Sequence, residues 1–321
     1  MSVTGQQRRW GEDAMVGRVE VETVSEEVAL ERKARASAWF TALRDEICAA
    51  FEALEDALDV GDFAEMAPGR FERKETRRAA ALEGEDAGGG VMSVMRGRVF
   101  EKVGVNISTV HGVLEPMARR HLTARKEIPG LDADPRFWAS GISLVAHMRS
   151  PLVPAVHMNT RMFWTPSGSW FGGGADLNPM IEVAEDTAFF HGKLKAACDA
   201  HDPGYYPRFK EWADEYFLIR HWNEPRGVGG IFYDDLATGD WEADFAFTQD
   251  VGRAFVAAFP PLVARHMAKP WTEEQREIQL VKRGRYAEFN LVYDRGTQFG
   301  LRTGHNPEAV LMSLPPVAKW P

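Results

Sequence analysis

The segment at residues 153–164, VPAVHMNTRMFW, alternates in character from one residue to the next. Because side chains of a β-strand point to alternate faces, this pattern predicts a strand with two different faces. One face is polar with an aromatic edge and carries His157, Asn159, Arg161 and Phe163. The other is almost wholly apolar, which predicts a buried core face, and carries Val156, Met158, Thr160, Met162 and Trp164.

The rest of the chain supplies partners for this strand. Ser143, Val145 and His147 share a face of an earlier strand-like segment, so pairing would add Ser143 and His147 to the polar face. Helical periodicity at 34–58 comes before several strand-like segments, and helices and a further strand follow. This order predicts an α+β fold in a single domain: a large, mainly antiparallel β-sheet flanked by α-helices on both faces. We place the domain at residues 31–321, after a loose N-terminal extension at 1–30.

Several element boundaries are specific enough to test. We predict a glycine-rich loop at 82–90, a helix opened by Asn178 and Pro179, and a helix at 207–222. A helix at 246–268 should break at Pro260 and Pro261, and Thr272 with Gln275 forms a capping box. The alternation in RYAEFNLVYDRG, residues 285–296, predicts a strand. Its apolar face would carry Ala287, Phe289, Leu291 and Tyr293.

Composition narrows the function classes. A net charge of -9 argues against wholesale binding of nucleic acid. Cys48 and Cys198 have neither metal nor redox spacing, so we expect buried free thiols. No apolar run is long enough for a membrane span, and the N-terminus has no apolar signal core, so a cytoplasmic location is expected. Ten Trp and nineteen Phe fit a flat apolar ligand, a large dimer interface or simply an aromatic core.

The polar strand face has two interpretations. A solvent-exposed face usually favours Lys, Glu and Thr, whereas His-x-Asn-x-Arg resembles a selection for binding. The basic residues Arg226, Lys282, Arg283 and Arg285 are candidate partners for carboxylates, because arginine binds them in a bidentate manner. A solvated charged turn is the alternative for Lys282 and Arg283.

The stretch WFGGGADLNP, residues 170–179, does not fit a phosphate-binding loop. Such a loop needs a lysine after its glycines or a Gly-x-Gly-x-x-Gly pattern, and here Asp176 would repel phosphate. Asp176 suits hydrogen-bond donors, and Gly172, Gly173 and Gly174 would let the backbone approach a flat ligand. A tight glycine turn capped by Asp176 is the alternative.

Four histidines are candidate ligands of one divalent ion. They are His147, His157, His191 and His221. No two of them have the His-x-x-x-His spacing that would place both on one face of a helix. The alternative is that each is a structural histidine with its own hydrogen-bond partners.

Four motifs together resemble the aerobic, oxygen-dependent coproporphyrinogen III oxidase family. They are WFGGGADLNP, HWNEPRGVGGIFYDDL, KRGRYAEFNLVYDRGTQFGL and VLMSLPP, and the resemblance runs from Ala34 to Pro321. It implies loss of the ring A and ring B propionate carboxyls of coproporphyrinogen III as CO₂, with O₂ as co-substrate and protoporphyrinogen IX as product. It also implies a homodimer and no organic cofactor.

The resemblance also implies roles for residues. It assigns substrate contact to Ser143, Asn159, Thr160 and Arg161, proton donation to His157, and binding of the pyrrole N–H groups to Asp176. Arg161 would hold a propionate, and the glycines at 172–174 would admit the macrocycle. A divalent metal such as Mn²⁺ would be held at His147, His157, His191 and His221 in bacterial members, while other members work without a metal.

Three departures from the family pattern stand out. The substrate-binding positions Gly304, His305 and Asn306 replace a common Gly-Gly-Arg, and Trp222 replaces an arginine. The chain is also expected to end about two dozen residues before its relatives. Two other classes of function remain open: a tetrapyrrole carrier without catalysis, and a histidine-ligated metal oxygenase or hydrolase.

Overall fold

The computed structural model describes residues 22–78, 86–123, 128, 130–302 and 306–321, except the side chains of His121 and Arg302. Within these ranges, seven strands form one antiparallel sheet in the order β1–β2–β3–β4–β5–β6–β9. The strands are β1 (Glu72–Arg77), β2 (Gly88–Met95), β3 (Phe100–Val113), β4 (Arg136–Met148), β5 (Ala155–Thr165), β6 (Gly168–Asn178) and β9 (Gly230–Leu236). A small separate hairpin consists of β7 (Leu218–Ile219) and β8 (Glu224–Pro225).

The helices lie before, between and after the strands. They are α1 (Glu26–Ala57), α2 (Pro116–Thr123), α3 (Ala184–Asp199), α4 (Tyr205–Tyr216), α5 (Trp241–His266), α6 (Glu273–Val292), α7 (Arg295–Arg302) and α8 (Pro307–Val310), followed by a 3₁₀ turn at Leu311–Ser313. None of the helices in the described ranges combines the length and apolar character needed to cross a bilayer. Cys48 and Cys198 are buried free thiols, as predicted.

The main hydrophobic core lies on one face of the sheet. Helix α1 buries Phe40, Leu43, Ile47 and Phe51 at helical spacing, and Ser25 caps its first turn. These side chains pack with α3, α5 and the apolar residues of the central strands. Helix α6 lies against the opposite face, where Arg283 donates to the carbonyl oxygen of Met148. The prediction of an α+β sheet with helices on both faces is confirmed.

The predicted strand at 285–296 is wrong, because those residues continue α6 and begin α7. Alternation was a misleading signal here. The buried residues of α6 instead recur at helical spacing and include the polar Gln279, Arg283 and Asn290. Leu291 is half exposed, so the predicted apolar strand face is not a buried face. The predicted capping box of Thr272 and Gln275 is present at the start of α6.

Other boundaries also differ from the sequence prediction. Strand β6 runs through Asn178, and α3 begins only at Ala184, because the Asn178 side chain bonds to Asp176 and does not cap a helix. Helix α4 ends at Tyr216, and α5 passes through Pro260 and Pro261 without a break.

The structure also corrects the boundaries of two further predicted elements. Gly88–Gly90 belong to β2 and not to a loop, and α1 begins at Glu26 instead of about Ala34. At Gly90 a Cβ atom would lie 2.1 Å from the carbonyl oxygen of Ile107, which explains why the strand needs glycine there. The predicted loop at 82–85 lies outside the described residues.

Candidate active site

The central strands bring the predicted polar residues onto one face of the sheet. Strand β5 pairs with both β4 and β6, and Asn159 lies between Ser143 and Gly174. His157 lies directly opposite Asp176, and Arg161 opposite Gly172. The predicted pairing of the segments that carry Ser143 and Asn159 is therefore confirmed, and Ser143 is exposed on this face.

Thr160 and Gly173 point the other way. The Thr160 side chain is completely buried on the core face, and a Cβ atom at Gly173 would contact Thr160. Strand alternation makes this unavoidable once Asn159 and Arg161 occupy the polar face. Thr160 and Gly173 therefore offer the polar face no side chain, and only Gly172 and Gly174 of the three glycines border it directly.

Asp176 is 1 % exposed and is surrounded by donors. His157 Nδ1 lies 2.8 Å from its Oδ1, Arg226 Nη2 lies 2.7 Å from each oxygen, and Asn178 Nδ2 lies 2.9 Å from Oδ2. Burial alone would raise the pKa of Asp176, but the charge of Arg226 and the hydrogen bond from His157 lower it to about 2. The carboxylate is thus held ionised inside the protein.

His157 continues this network toward the open face. Because the Asp176 carboxylate only accepts, Nδ1 of His157 carries its proton and Nε2 is left as an acceptor. Asn159 Nδ2 donates to that Nε2 across 3.1 Å. The tautomer follows from the partners, and it directs the basic nitrogen toward the polar face.

Arg161 forms the next part of the network. Its Nη1 donates to Asn159 Oδ1 at 3.2 Å and its Nη2 to Asp234 Oδ1 at 2.7 Å. Burial alone would lower the pKa of Arg161, and the charge and hydrogen bond of Asp234 raise it above the ordinary value. A continuous chain of side chains therefore runs Asp176–His157–Asn159–Arg161–Asp234.

Arg226 lies behind the network and is itself buried. Its guanidinium stacks on Phe217, Tyr286 and Phe289 at 4.3, 4.7 and 4.7 Å, and Nη1 donates to Asn290 Oδ1 at 2.9 Å. Sequence reasoning found Arg226 as a basic candidate but missed its partners Tyr286 and Asn290. Only the helical spacing of α6 could have revealed them. Asp234 was also missed, although it lies within the motif FYDDL.

The four candidate metal ligands have separate surroundings. His147 Nε2 bonds to the carbonyl oxygen of Ser313, and burial lowers the pKa of His147 to about 3. His191 contacts Tyr206 and the carbonyl oxygen of Val228. His221 contacts Tyr293 and Glu288, while His157 is paired with Asp176.

These surroundings do not fit a shared metal ion. Among the residues that the structure describes, no three His, Cys, Asp or Glu side chains are grouped to hold one. His157, His191 and His221 use both ring nitrogens on separate protein partners. His147 bonds through Nε2 to Ser313, and its buried Nδ1 has no partner among the described residues. We therefore derive no chemical step through a metal.

The late basic residues bond to groups outside the chain of side chains that runs from Asp176 to Asp234. Lys282 Nζ donates to the carbonyl oxygen of Pro179, and Arg283 is buried against Glu101. Arg285 pairs with Glu224 and stacks on Trp222, 3.5 Å from the ring centroid. These residues join α6 to the sheet and to the β7–β8 hairpin. They therefore form neither a cluster for binding a substrate carboxylate nor a solvated charged turn.

The C-terminal substrate-binding candidates divide into two groups. Gly304 and His305 lie outside the described residues. Asn306 caps α8, and its Oδ1 accepts from the backbone N–H groups of Glu308 and Ala309. Asn106 of β3 donates to the carbonyl oxygen of Ala309, so α8 lies against the same sheet.

The arrangement has defined chemical abilities. A part-buried guanidinium binds a carboxylate, and a neutral imidazole with a buried carboxylate behind it accepts or returns a proton. The buried carboxylate fixes the imidazole orientation and stabilises its protonated form, as a third group does in other acid–base sites.

Comparison with known proteins gives one family. Residues 35–321 match the profile of the family described as Coproporphyrinogen III oxidase. The chain is 54% identical over 284 residues to a protein of Rickettsia bellii (strain RML369-C) named Oxygen-dependent coproporphyrinogen-III oxidase, covering 88% of this chain and 96% of the relative. Proteins of the same name from Rickettsia peacockii and Rickettsia akari are 53% and 52% identical, covering 91% of this chain and 99% of each relative. The match covers nearly the whole length of these relatives, so the expectation that relatives continue about two dozen residues past the end of this chain does not hold for them.

Proposed function

The chain belongs to the coproporphyrinogen III oxidase family, and we propose that the polar face around Asp176, His157 and Arg161 is where its reaction takes place. The reaction is the oxidative decarboxylation of the ring A and ring B propionates of coproporphyrinogen III in haem biosynthesis. O₂ is the oxidant, two vinyl groups remain and protoporphyrinogen IX is the product. The resemblance seen in the sequence is thus confirmed at the level of family and activity.

One observation supports this location: the unbroken hydrogen-bonded chain from Asp176 to Asp234 on the polar face. Each propionate that becomes a vinyl group loses CO₂, one proton and two electrons. A site for this reaction needs a cation for the carboxylate and a base for the proton. Arg161 and His157 supply them, and Asn159 fixes the distance between the two.

Arg161 is the proposed propionate anchor. A guanidinium binds a carboxylate with two parallel hydrogen bonds, which fix the orientation of the reacting side chain as well as its position. Ser143 is exposed beside Asn159 on the same face and is the proposed hydroxyl contact to the substrate. Gly172 and Gly174 leave the floor of this face without side chains.

Asp176 is proposed to act through His157. Its oxygens accept from His157, Arg226 and Asn178, so the buried carboxylate already has protein donors where pyrrole N–H groups were expected. A negative charge in this position favours the protonated form of His157 during proton transfer. Asp176 would then stabilise charge on the reacting ring through the imidazole.

The electrons come from the substrate in this proposal. Coproporphyrinogen is a reduced, electron-rich tetrapyrrole that O₂ oxidises, so we propose that catalysis uses no organic cofactor. Where Mn²⁺ or a similar ion takes part, its ligands would have to differ from the common set of four histidines expected from the sequence.

A homodimer is proposed from the exposed apolar side chains of the C-terminal third. Large apolar residues on α6, α7 and the final segment face solvent in the single chain: Leu291, Val292, Phe299, Leu301, Val317 and Trp320. The exposure of several large apolar side chains in this part of the chain supports a surface that is covered in an assembly. The cytoplasmic location stays a prediction from the sequence.

The decisive experiment is an aerobic assay of the purified chain with coproporphyrinogen III. Product is oxidised after the reaction and measured by porphyrin fluorescence. We expect protoporphyrin in air and none without O₂. Bound but unchanged substrate under both conditions would instead indicate a tetrapyrrole carrier. Turnover that ends when the chain is stripped of metal would favour a histidine-ligated metal enzyme.

A further inference from the structure

Arg161 reaches the polar face with a counter-ion from the protein itself. Asp234 Oδ1 lies 2.7 Å from Arg161 Nη2, and the two side chains are 21% and 37% exposed. Asn159 holds the other terminal nitrogen. A guanidinium carries five N–H donors, more than these two bonds use, so a second carboxylate has donors to bind.

The backbone is built to aim Asp234 at Arg161. Phe171 pairs with Leu236 and Gly173 with Tyr233, so the single residue Gly172 lies opposite both Asp234 and Asp235. This is a β-bulge, a feature that redirects side chains near functional sites. Asp235 takes a left-handed conformation with φ 57°, which is uncommon outside glycine.

Gly172 provides the space for the ion pair. A Cβ atom there would lie 2.8 Å from Asp234 Oδ1 and 2.9 Å from Arg161 Nη2. Both distances are shorter than normal contacts of a methyl group, so the pair in its present position requires glycine. The motif WFGGGADLNP thus serves the Arg161–Asp234 pair as well as the approach of a ligand.

The reaction creates a problem that this pair solves. A propionate bound to Arg161 loses its carboxylate as CO₂, and the vinyl group left behind accepts no charged hydrogen bond. A partly buried guanidinium is less stable without an anion than with one, although solvent screens part of the difference. Asp234 stays within bonding distance and takes over the charge when the substrate carboxylate leaves.

We propose that Asp234 is an exchange counter-ion for Arg161, and hence a positioning and specificity residue of the reaction. It orients Arg161 before the substrate binds, shares the guanidinium with the propionate, and repairs the ion pair after decarboxylation. This inference rests on the proposed function of the polar face. The presence of Asp234 weakens the binding of a substrate carboxylate to Arg161, because Asp234 and the propionate repel each other.

The test measures binding of coproporphyrin III, the oxidised analogue that is not turned over, to the full chain at low salt. Asp234→Asn keeps size and an acceptor but removes the charge. We expect its Kd to be at least about threefold lower than that of the wild-type protein, a gain that shrinks at high salt. KM for coproporphyrinogen III should fall as well, without a rise in kcat. Asp235→Asn is the matched control, because it makes the same charge change one residue along β9. Its Kd for coproporphyrin III should be closer to that of the wild-type protein.

The sign of the change separates this role from a structural one. A residue that only supports the fold would give weaker binding when replaced. An unchanged or higher Kd for Asp234→Asn, or equal tightening in Asp235→Asn, overturns the proposal. Should Asp234→Asn fail to fold, Asp234→Ser makes the same comparison. If wild-type protein binds coproporphyrin III but does not oxidise coproporphyrinogen III in air, the proposed function fails while the comparison of Kd values still tests Asp234.

Discussion

At Asp176, one carboxylate accepts hydrogen bonds from three side chains that come from different parts of the sequence. His157 lies on the neighbouring strand, Asn178 two residues along β6, and Arg226 directly after the β7–β8 hairpin. Buried ion pairs add little net stability relative to apolar packing, but losing one partner leaves an uncompensated charge. The residue therefore couples the proton transfer proposed for His157 to the stability of the fold.

Asp176→Asn should affect both properties. From the sequence alone, an unchanged melting temperature is predicted, because Asn caps turns as well as Asp does. In the structure the substitution leaves Arg226 buried without its anion, so we expect a loss of about 3–5 kcal/mol in the free energy of unfolding. We also expect kcat to fall about 10²-fold, since the charge behind His157 is removed.

Thermal or urea unfolding and steady-state kinetics on one preparation test this prediction. Asn178→Ala is the control, because it removes a neutral donor to the same carboxylate and should cost only about 1 kcal/mol. An Asp176→Asn protein as stable as wild type would show that Arg226 does not depend on Asp176.

Arg161→Ala should reduce catalysis without unfolding the protein. Arg161 is partly exposed, and its loss removes the proposed propionate anchor, worth about 2–5 kcal/mol in transition-state binding. We expect kcat/KM to fall at least about a hundredfold, at ~1.4 kcal/mol per decade. Arg285→Ala, which removes an arginine that pairs with Glu224 and Glu288, is the control. Kinetics of Arg161→Ala close to wild type would mean that this face is solvated surface.

The histidines lead to a prediction about metal. Because His147, His191 and His221 each bond to separate protein partners, we expect activity to survive thorough chelation. Activity is measured after chelator treatment, and residual metal is quantified in the same sample. Loss of activity that Mn²⁺ restores would overturn this expectation.

At the level of elements, α6 is fixed to the sheet through charged residues. Glu101 of β3 pairs with Arg276 at 3.0 Å and with the buried Arg283 at 2.7 Å. Arg283 and Gln279 also donate to the carbonyl oxygen of Met148 at the end of β4. These contacts position Tyr286 and Phe289 of the same helix, which pack around Arg226.

The Glu101 pair predicts a pH dependence of stability. Burial alone would raise the pKa of Glu101, but Arg276 and Arg283 lower it below the ordinary 4.5. The unfolded chain therefore binds a proton at a higher pH than the folded chain. The stabilisation is complete above about pH 4.5 and is lost as pH falls through the lower, folded value.

Glu101→Gln should therefore destabilise the protein by about 3 kcal/mol at pH 7, and the difference from wild type should shrink below pH 4.5. Unfolding free energies of both proteins are measured from pH 7 to pH 3. A difference that stays constant across this range would show that the Glu101 charge contributes nothing.

The sequence predicts the elements that local patterns control. Alternation at Val156–Trp164 identified β5 and its faces, and Thr272 with Gln275 identified the start of α6. The last two turns of α6 were assigned to a strand because apolar residues alternate there. The buried residues of α6 also include the polar Gln279, Arg283 and Asn290, and only distant partners make such burial favourable. For the same reason the sequence indicated His157, Asp176 and Arg161, but not that Arg226 and Asp234 are their counter-ions.

At the scale of the whole molecule, the exposed apolar side chains predict assembly. We expect a homodimer at micromolar concentration, measured by light scattering. Leu291→Asp places a charge on the half-exposed apolar surface of α6 and should shift the mass toward the monomer. Asp199→Asn, an exposed substitution on α3, is the control. A monomer mass for the unmodified chain would contradict the proposed assembly.

The pairing of Asp176 with Arg226 also sets an order of events during synthesis. Six strands follow one another as neighbours in the sheet, from β1 to β6, so this meander can form from contacts that are close in sequence. Arg226 is made 50 residues after Asp176, which at about 5–20 residues per second is a delay of seconds on the ribosome. Until then the carboxylate has no counter-ion and must stay hydrated, so β6 cannot close against the later hairpin. The polar face is therefore completed late, because Arg226 and then Asp234 of β9 must both be made before its two arginine–aspartate pairs can form.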